Sequence, residues 1–352
     1  MSEIKNTVLT SSPFIPSSTS VAQIMRMVIY AMIPGIILYV WYFGWGVIIN
    51  ISIACVSAIL FEWIMLLLRD RSVKTFLFDG SAIITAILLA LAIPPMVSWW
   101  IPVLGCFFAI IVAKQLYGGL GYNTFNPAMA AYAILLISFP RELSMWTAPV
   151  EQLNDPLSFI ESLQYSLFNS IPSSIQIDAL TSATLLDHVR TEVGLGKHIS
   201  DISQSSIFGF VSGAGFEIVN TGFLLGGVWL IYKKIISWHI PVAMLSAIAC
   251  ISTIFYLINP NSFTNPLVQL MAGASILGAF FIATDPITAS TTPLGKIIYG
   301  IGIGLLTFAI RSWGGYPDGV AFAVLLMGLT VPLLDQFTAP KIYGARNSYG
   351  KK

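Results

Sequence analysis

The stretch DGSAIITAILLALAIPP, residues 79–95, has a partner in AGASILGAFFIATDPITASTTP, residues 272–293. Both begin at a glycine among small residues, run through an apolar segment and end near proline. Each is followed by another apolar span and then by a second glycine-rich piece. That piece is LYGGLGYNTFNPAMAAYAILL (116–136) in the first half and SWGGYPDGVAFAVLL (312–326) in the second. Gly80 and Gly118 are 38 residues apart, and Gly273 and Gly314 are 41 apart. Five apolar spans separate the two units, so they begin on opposite sides of a bilayer. That arrangement is the pattern of inverted repeats whose broken helices meet near the midplane.

Composition supports a membrane setting. Of 352 residues, 56% are hydrophobic and 9% are charged, against about 25% charged in soluble domains. Mean hydropathy is +0.82. A soluble domain of this length could not bury so much apolar surface. The net charge of +1 argues against a nucleic-acid partner, which calls for a basic face. The polar start MSEIKNTVLTSSPFIPSSTS lacks the basic and apolar regions of a cleaved signal peptide. Cys55, Cys106 and Cys250 lie far apart in apolar segments and read as small hydrophobes, with no disulfide framework or metal cluster.

A helix needs about 17–25 mostly apolar residues to cross the hydrocarbon core. Candidate spans fall near 22–42, 46–68, 77–95, 99–117, 127–139, 219–232, 238–258, 267–284, 295–311 and 319–336. The expected fold is therefore an all-α integral membrane protein of about ten transmembrane helices, arranged as two inverted five-helix repeats. Of the 17 Lys and Arg, only Arg141, Arg190, Lys197 and Arg311 fall outside when the N-terminus is placed in the cytoplasm. The positive-inside rule thus expects both termini inside and the long loop of about 140–215 outside.

Several residues could carry chemistry. In GGLGYNTFNPA (118–128), helix breakers beside Asn123 and Asn126 suit a re-entrant turn lining a polar cavity; a plain cytoplasmic turn is the alternative. FIATDPITASTTPLGK (281–296) is its counterpart, with Asp285 before a proline and a run of Thr and Ser behind it. Glu62 in LFEWIML sits inside a predicted span, where a charge is costly and should face the bundle interior or an ion path; snorkelling to the interface is its plainer reading. RSWGGYPDGVAF supplies Asp318 at the outer end of the last span, while Glu217 and Asp79 read as boundary residues. His188, His198 and His239 lack metal-ligand spacing, and no GxxxxGK[ST] phosphate cradle occurs. No catalytic or metal residues are expected on this chain alone.

One polar stretch in the long loop is out of keeping with its surroundings: IDALTSATLLDHV, residues 177–189. Its plain reading is a helix start, with Thr181 as N-cap and Asp187 assisting. It also resembles the signature, an Asp shortly before [ST]-[GS]-A-T, at which a flavin transferase links FMN, through its phosphate, to the last threonine. Here Asp178, Thr181, Ser182 and Ala183 lead to Thr184 as the acceptor.

That motif, together with GGLGYNTFNPA, FIATDPITASTTPLGK and GGYPDGVAFAVLLMGLTVPLLDQFTAPKIYG (314–344), resembles the NqrB/RnfD family over essentially the whole chain. This family holds the D subunits of Rnf (Rsx) electron transport complexes and, more distantly, the B subunits of sodium-pumping NADH:quinone reductases. The Rnf side is favoured because the B subunits carry a substantial N-terminal extension that this chain lacks. Ser182 stands where many acceptor motifs have Gly, and Phe216-Glu217 where the family often reads Gly-Glu.

The resemblance implies a urea-transporter-like body in the bacterial inner membrane. It divides into a first transmembrane repeat (1–140), a periplasmic loop with the flavin attachment motif (141–215), and a second repeat with a cytoplasmic tail (216–352). It implies covalent FMN on Thr184 and room for a second, non-covalent flavin such as riboflavin. The implied partners are the other members of a six-subunit Rnf/Rsx complex, especially its G subunit, and a flavin transferase for maturation. The implied activity is that of one part of a translocase: electron transfer between NADH and ferredoxin, coupled to movement of Na+ or H+. A solute channel or secondary transporter without a redox role is the rival; it explains the repeats but not the acceptor motif.

Overall fold

The computed structural model describes residues 20–153, 155–170 and 180–340; Asp178 of the acceptor motif lies outside them. Among the described residues the regular structure is helical apart from a two-residue antiparallel pairing and an isolated bridge between Phe208 and Gly213. The first series of elements comprises α1 (Val21–Phe43), α2 (Gly46–Leu68), α3 (Ser81–Ala92), α4 (Trp100–Cys106, running on as a π-helix over Phe107–Gln115) and α5 (Pro127–Ser138). The long loop contributes β1 (Trp146–Thr147), α6 (Phe159–Phe168), β2 (Thr181–Ser182) and α7 (Leu185–Gly194). The second series comprises α8 (Phe216–Tyr232), α9 (His239–Ile258), α10 (Pro266–Met271), α11 (Ser275–Leu277, running on as a π-helix over Gly278–Ile282), α12 (Pro293–Trp313) and α13 (Val320–Thr338).

Among the described residues, five helices are long and apolar enough to cross a membrane: α1, α2, α9, α12 and α13. Four more apolar helices (α3, α4, α5 and α8) are shorter. The expected span near 77–95 is helical over Ser81–Ala92 after a short helix, Val73–Leu77, ends at its start, and the one near 267–284 is split at Ala272–Ala274 between α10 and α11. Both interruptions hold a left-handed glycine, Gly80 at φ +83° and Gly273 at φ +56°, a conformation that a side chain disfavours.

Breaking a helix inside an apolar body frees backbone groups that must find partners. At the end of α3, the side-chain amide of Asn50 donates to the Pro94 and Pro95 carbonyls at 2.9 and 3.0 Å. At the split before α11, the Asn220 amide donates to the Met271 and Gly273 carbonyls at 2.7 and 3.0 Å. Arg311 Nη1 and Nη2 donate to the Gln269 and Ala272 carbonyls at 2.8 and 3.2 Å. The Ala274 N–H donates to the Asp318 carboxylate at 2.7 Å. A cation thus lies against the carboxyl end of α10 and an anion against the amino end of α11, the favourable order for the helix dipoles.

The two series join through close helix packing. α1 lies on α8, where a Cβ on Gly226 would overlap the Ala31 carbonyl and one on Gly35 would overlap the Phe223 ring. Within the second series, α12 lies on α9 in the same manner; a Cβ on Gly304 would stand 2.6 Å from the Met244 carbonyl oxygen. With no water to exclude between lipid-embedded helices, such small-residue contacts supply the association energy. One apolar core runs from Met32 and Ala86 in the first series to Phe280 and Tyr299 in the second.

Candidate functional site

Two clefts open between the series. The one beside the long loop, called outer after the expected orientation, encloses about 900 Å³ of space, including its open mouth, and the opposite one, called inner, about 990 Å³. Ile282 of α11 lines the outer cleft and its neighbour Phe281 the inner one, so this half-helix belongs to the floor between them.

Thr184 lines the outer cleft. β2 pairs with β1 in the register Trp146↔Ser182 and Thr147↔Thr181, which delivers the chain to Thr184. Thr184 is the N-cap of α7, its Oγ1 accepting from the Asp187 N–H at 3.2 Å. The plain helix-start reading therefore names the wrong threonine: Thr181 lies in β2, and the cap is three residues on. Asp187 pairs with Arg190, which also donates to the Gly314 and Tyr316 carbonyls at 3.0 and 2.9 Å. These bonds tie α7 to the glycine-rich piece of the second series. Ser182 donates to the Ala183 carbonyl at 3.1 Å, and Ala183 is exposed.

The cleft wall beside Thr184 is aromatic. Phe216 packs on Tyr39, Phe43 and Trp146 with ring centroids 6.2, 4.5 and 5.8 Å away. The Tyr39 hydroxyl and the Trp146 Nε1 are buried without a hydrogen-bond partner among the described residues, and both residues line the cleft. Buried polar atoms are normally satisfied, so this pair is a reason to look for a ligand. Glu217 shapes the adjoining turn, its carboxylate accepting from the N–H groups of Phe210, Val211 and Ser212 at 3.1, 2.7 and 2.9 Å.

The inner cleft gathers three of the residues singled out in the sequence. Asn123, Asn126 and Asp285 all line it, with Lys114 and Ser81. Asn126 caps α5 by accepting from the Ala128 and Met129 N–H groups at 3.1 and 3.3 Å. Its amide also donates across the molecule to the Ile282 carbonyl at 3.4 Å. Asn123 donates to the Phe125 carbonyl at 3.0 Å, while its own carbonyl oxygen is buried without a partner among the described residues. Asp285 accepts from the Thr288 hydroxyl at 2.9 Å.

Glu62 stands one step behind this cleft. Its carboxylate accepts from Lys114 Nζ at 2.6 and 2.8 Å and from the Gln115 amide at 2.9 Å. Lys114 also donates to the Ser81 hydroxyl at 2.7 Å, which donates to Asp79 at 2.6 Å. Glu62 and Lys114 are each 2% exposed. The sequence marked the carboxylate but not its partner: Lys114 read as one more inner-face cation, although an ammonium within an apolar span needs a counter-charge as much as Glu62 does. Arg311 is similarly buried against Asp318, Nε to Oδ1 at 2.9 Å. Tyr39, Trp146, Asn50 and Asn220 carried no local sequence signal, because their roles depend on distant segments.

The comparisons agree with the resemblance. A family model described as NQR2, RnfD, RnfE matches residues 8–344. A protein of Aliivibrio salmonicida, named as the D subunit of an ion-translocating oxidoreductase complex, is 46% identical over 344 residues, covering 96% of this chain and 98% of its own length. Proteins of the same name from Shigella dysenteriae serotype 1 and Escherichia coli O81 are 46% identical over 346 residues, with the same coverage. With a match of this extent, aligned along nearly the whole length of its relatives, the chain belongs to the NQR2, RnfD, RnfE family.

Proposed function

We propose that this chain is a membrane subunit of an ion-translocating oxidoreductase complex and carries FMN through a phosphoester to Thr184. The observation that carries the reading is the position of Thr184. Its hydroxyl lies at the amino end of α7 and at the edge of an aromatic-walled cleft with two unpartnered polar atoms. A phosphate on that oxygen would sit where helix N–H groups and the dipole favour an anion. The cleft wall fits an aromatic ring system, and Tyr39 and Trp146 offer it hydrogen-bond donors. The bound flavin would supply one- and two-electron chemistry. The residues of this chain hold it, orient it and exclude water from it.

In this reading the chain passes electrons within a six-subunit NADH–ferredoxin complex, exchanges them with the G subunit at the outer face, and is matured by a flavin transferase. It takes no part in catalysis alone, and it is coupled to Na+ or H+ movement. It lies in the bacterial inner membrane with both termini inside and residues of about 140–215 in the periplasm. A second, non-covalent flavin such as riboflavin has its place within the same body, while Asn123, Asn126 and Asp285 line the inner cleft as the ion path. We also assign ten crossings in two inverted repeats. The 12 residues of α3 span only about 18 Å, short of the ~30 Å core, and complete their crossing through the unwound segment that Asn50 caps.

The rival class, a channel or transporter without redox chemistry, draws on the two clefts and the floor between them. Thr184→Ala separates the two readings. It should abolish the flavin fluorescence that follows the chain through denaturing electrophoresis while leaving the folded protein intact. Fluorescence surviving in that variant would remove the attachment claim.

A further inference from the structure

Helix α6 is turned the wrong way for a segment bathed in water. Its buried side chains are Ser162 and Ser166, at 6% and 4% exposure. Its outward face presents Phe159, Ile160, Leu167 and Phe168, at 45%, 66%, 41% and 75%. The helix is firmly built: Ser158 and Glu161 form a reciprocal capping box, and Asn169 ends it in a left-handed turn. Glu161 is occupied with that cap, accepting from the Ser158 N–H and hydroxyl at 2.8 and 2.7 Å. Gln164 is therefore the main polar side chain left on the outward face. A contiguous apolar face on a rigid helix marks a surface made for another phase or another molecule.

Its position identifies that phase. The Trp99 N–H donates to the Ser166 carbonyl at 2.9 Å, and the Ser98 hydroxyl donates to Asn169 at 2.7 Å. Trp45 meets Phe159 edge-on at 5.8 Å. Trp45 and Trp99 are the residues immediately before α2 and α4. α6 is thus pinned where two apolar helices begin, at the same level as two half-exposed tryptophans. Tryptophans at helix ends mark the boundary between headgroups and acyl chains. An amphipathic helix at that depth lies in the plane of the interface with its apolar face in the lipid.

We propose that α6 is an interfacial lipid-binding helix, seated in the outer headgroup–acyl boundary with Phe159, Ile160, Leu167 and Phe168 in the hydrocarbon. It anchors the loop between β1 and β2, and so holds the Thr184 segment against the membrane surface. The partner is the bilayer itself, recognised through apolar contact; Glu161 is the only charged side chain on the helix. This inference requires the membrane setting but is independent of any flavin.

The test uses Ile160→Cys in the full-length chain with Cys55, Cys106 and Cys250 replaced by alanine, labelled with an environment-sensitive fluorophore. The labelled chain is placed in phosphatidylethanolamine–phosphatidylglycerol vesicles, and the assembled complex carrying it is placed in nanodiscs of the same lipids. Quenching by lipids brominated on their acyl chains is compared with quenching by aqueous iodide. The expected result is several-fold stronger quenching by bromolipid in both preparations, with the reverse for a label at Ser158→Cys. Dominant iodide quenching at Ile160→Cys would overturn the proposal. So would protection from both quenchers in the complex, which would mean that another protein covers the face. Phe168→Cys on the last turn provides the same readout should Ile160→Cys fail to fold.

Discussion

Thr184 Oγ1 has two roles that compete for one oxygen. As a hydroxyl it caps α7 by accepting from the Asp187 N–H. As an ester oxygen it is a poorer acceptor, but the phosphate it carries offers better ones to the same helix end. Thr184→Ala should therefore lose the flavin and destabilise the loop by about 1 kcal/mol, the usual worth of an N-cap. Thr184→Ser keeps an oxygen at the same place and should retain the cap. Thermal unfolding followed by helical circular dichroism checks the stability side, and loss of a large part of the helical signal in Thr184→Ala would contradict it. The acceptor was legible because its motif is local. Its orientation toward a cleft was not, because the cleft is assembled from α1, β1, α8 and α11. Glu62 shows the same limit. The sequence shows an expensive carboxylate but not that Lys114 neutralises it across 52 residues. Glu62→Leu or Lys114→Met alone leaves a buried charge unpaired, and each should cost about 3–5 kcal/mol. The double variant should recover much of that loss in unfolding experiments. Additive losses would show that the two residues do not act as a pair.

At the scale of elements, the glycines at the breaks were legible and the extents of the helices were not. Gly80 and Gly273 stand out in any reading, and the helix over 46–68 coincides with its expected span. The segments near 77–95 and 267–284 are mostly apolar on both sides of those glycines, so composition could not show how far the helix unwinds. That is decided by Asn50, Asn220 and the Arg311–Asp318 pair, which reach the freed backbone from other helices. Asn220→Leu removes the donor to two carbonyls and should cost about 1–3 kcal/mol for each group left buried and unsatisfied. Faster hydrogen exchange at 266–282 than elsewhere in the second series is the expected signature, and unchanged exchange there would contradict this account of the break. In α6, hydrogen bonds from the Ser158 side chain and backbone hold the Glu161 carboxyl below the usual carboxylate range. A folded-state pKa lowered in this way stabilises the helix at neutral pH, and that contribution is lost as pH falls through the folded-state value. The exchange protection factor of the amides at 158–168 should fall in acid, and Glu161→Gln should flatten that pH dependence.

At the scale of the whole molecule, composition and periodicity were enough to identify a helical, multi-pass membrane protein. The family resemblance extends along nearly the full length of the curated relatives. The division of the interior into an outer cleft at Thr184 and an inner cleft at Asn123, Asn126 and Asp285 could be seen only in three dimensions. If ions move through this chain in step with electrons, the inner cleft is their entry, and Asp285 is its carboxylate. Asp285→Asn should then lower the number of ions moved per electron in sealed vesicles more than it lowers the rate of electron transfer. An unchanged ratio would place the ion path elsewhere in the complex.

The central claim is the covalent flavin, and the most direct test is the intact mass of the chain purified from native membranes, with peptide mapping across residues 170–200. The account predicts a chain heavier by one FMN less one water, with the added mass on Thr184. An unmodified Thr184 in that preparation would contradict it, leaving a helical membrane body with two clefts and bringing the transport reading to the front.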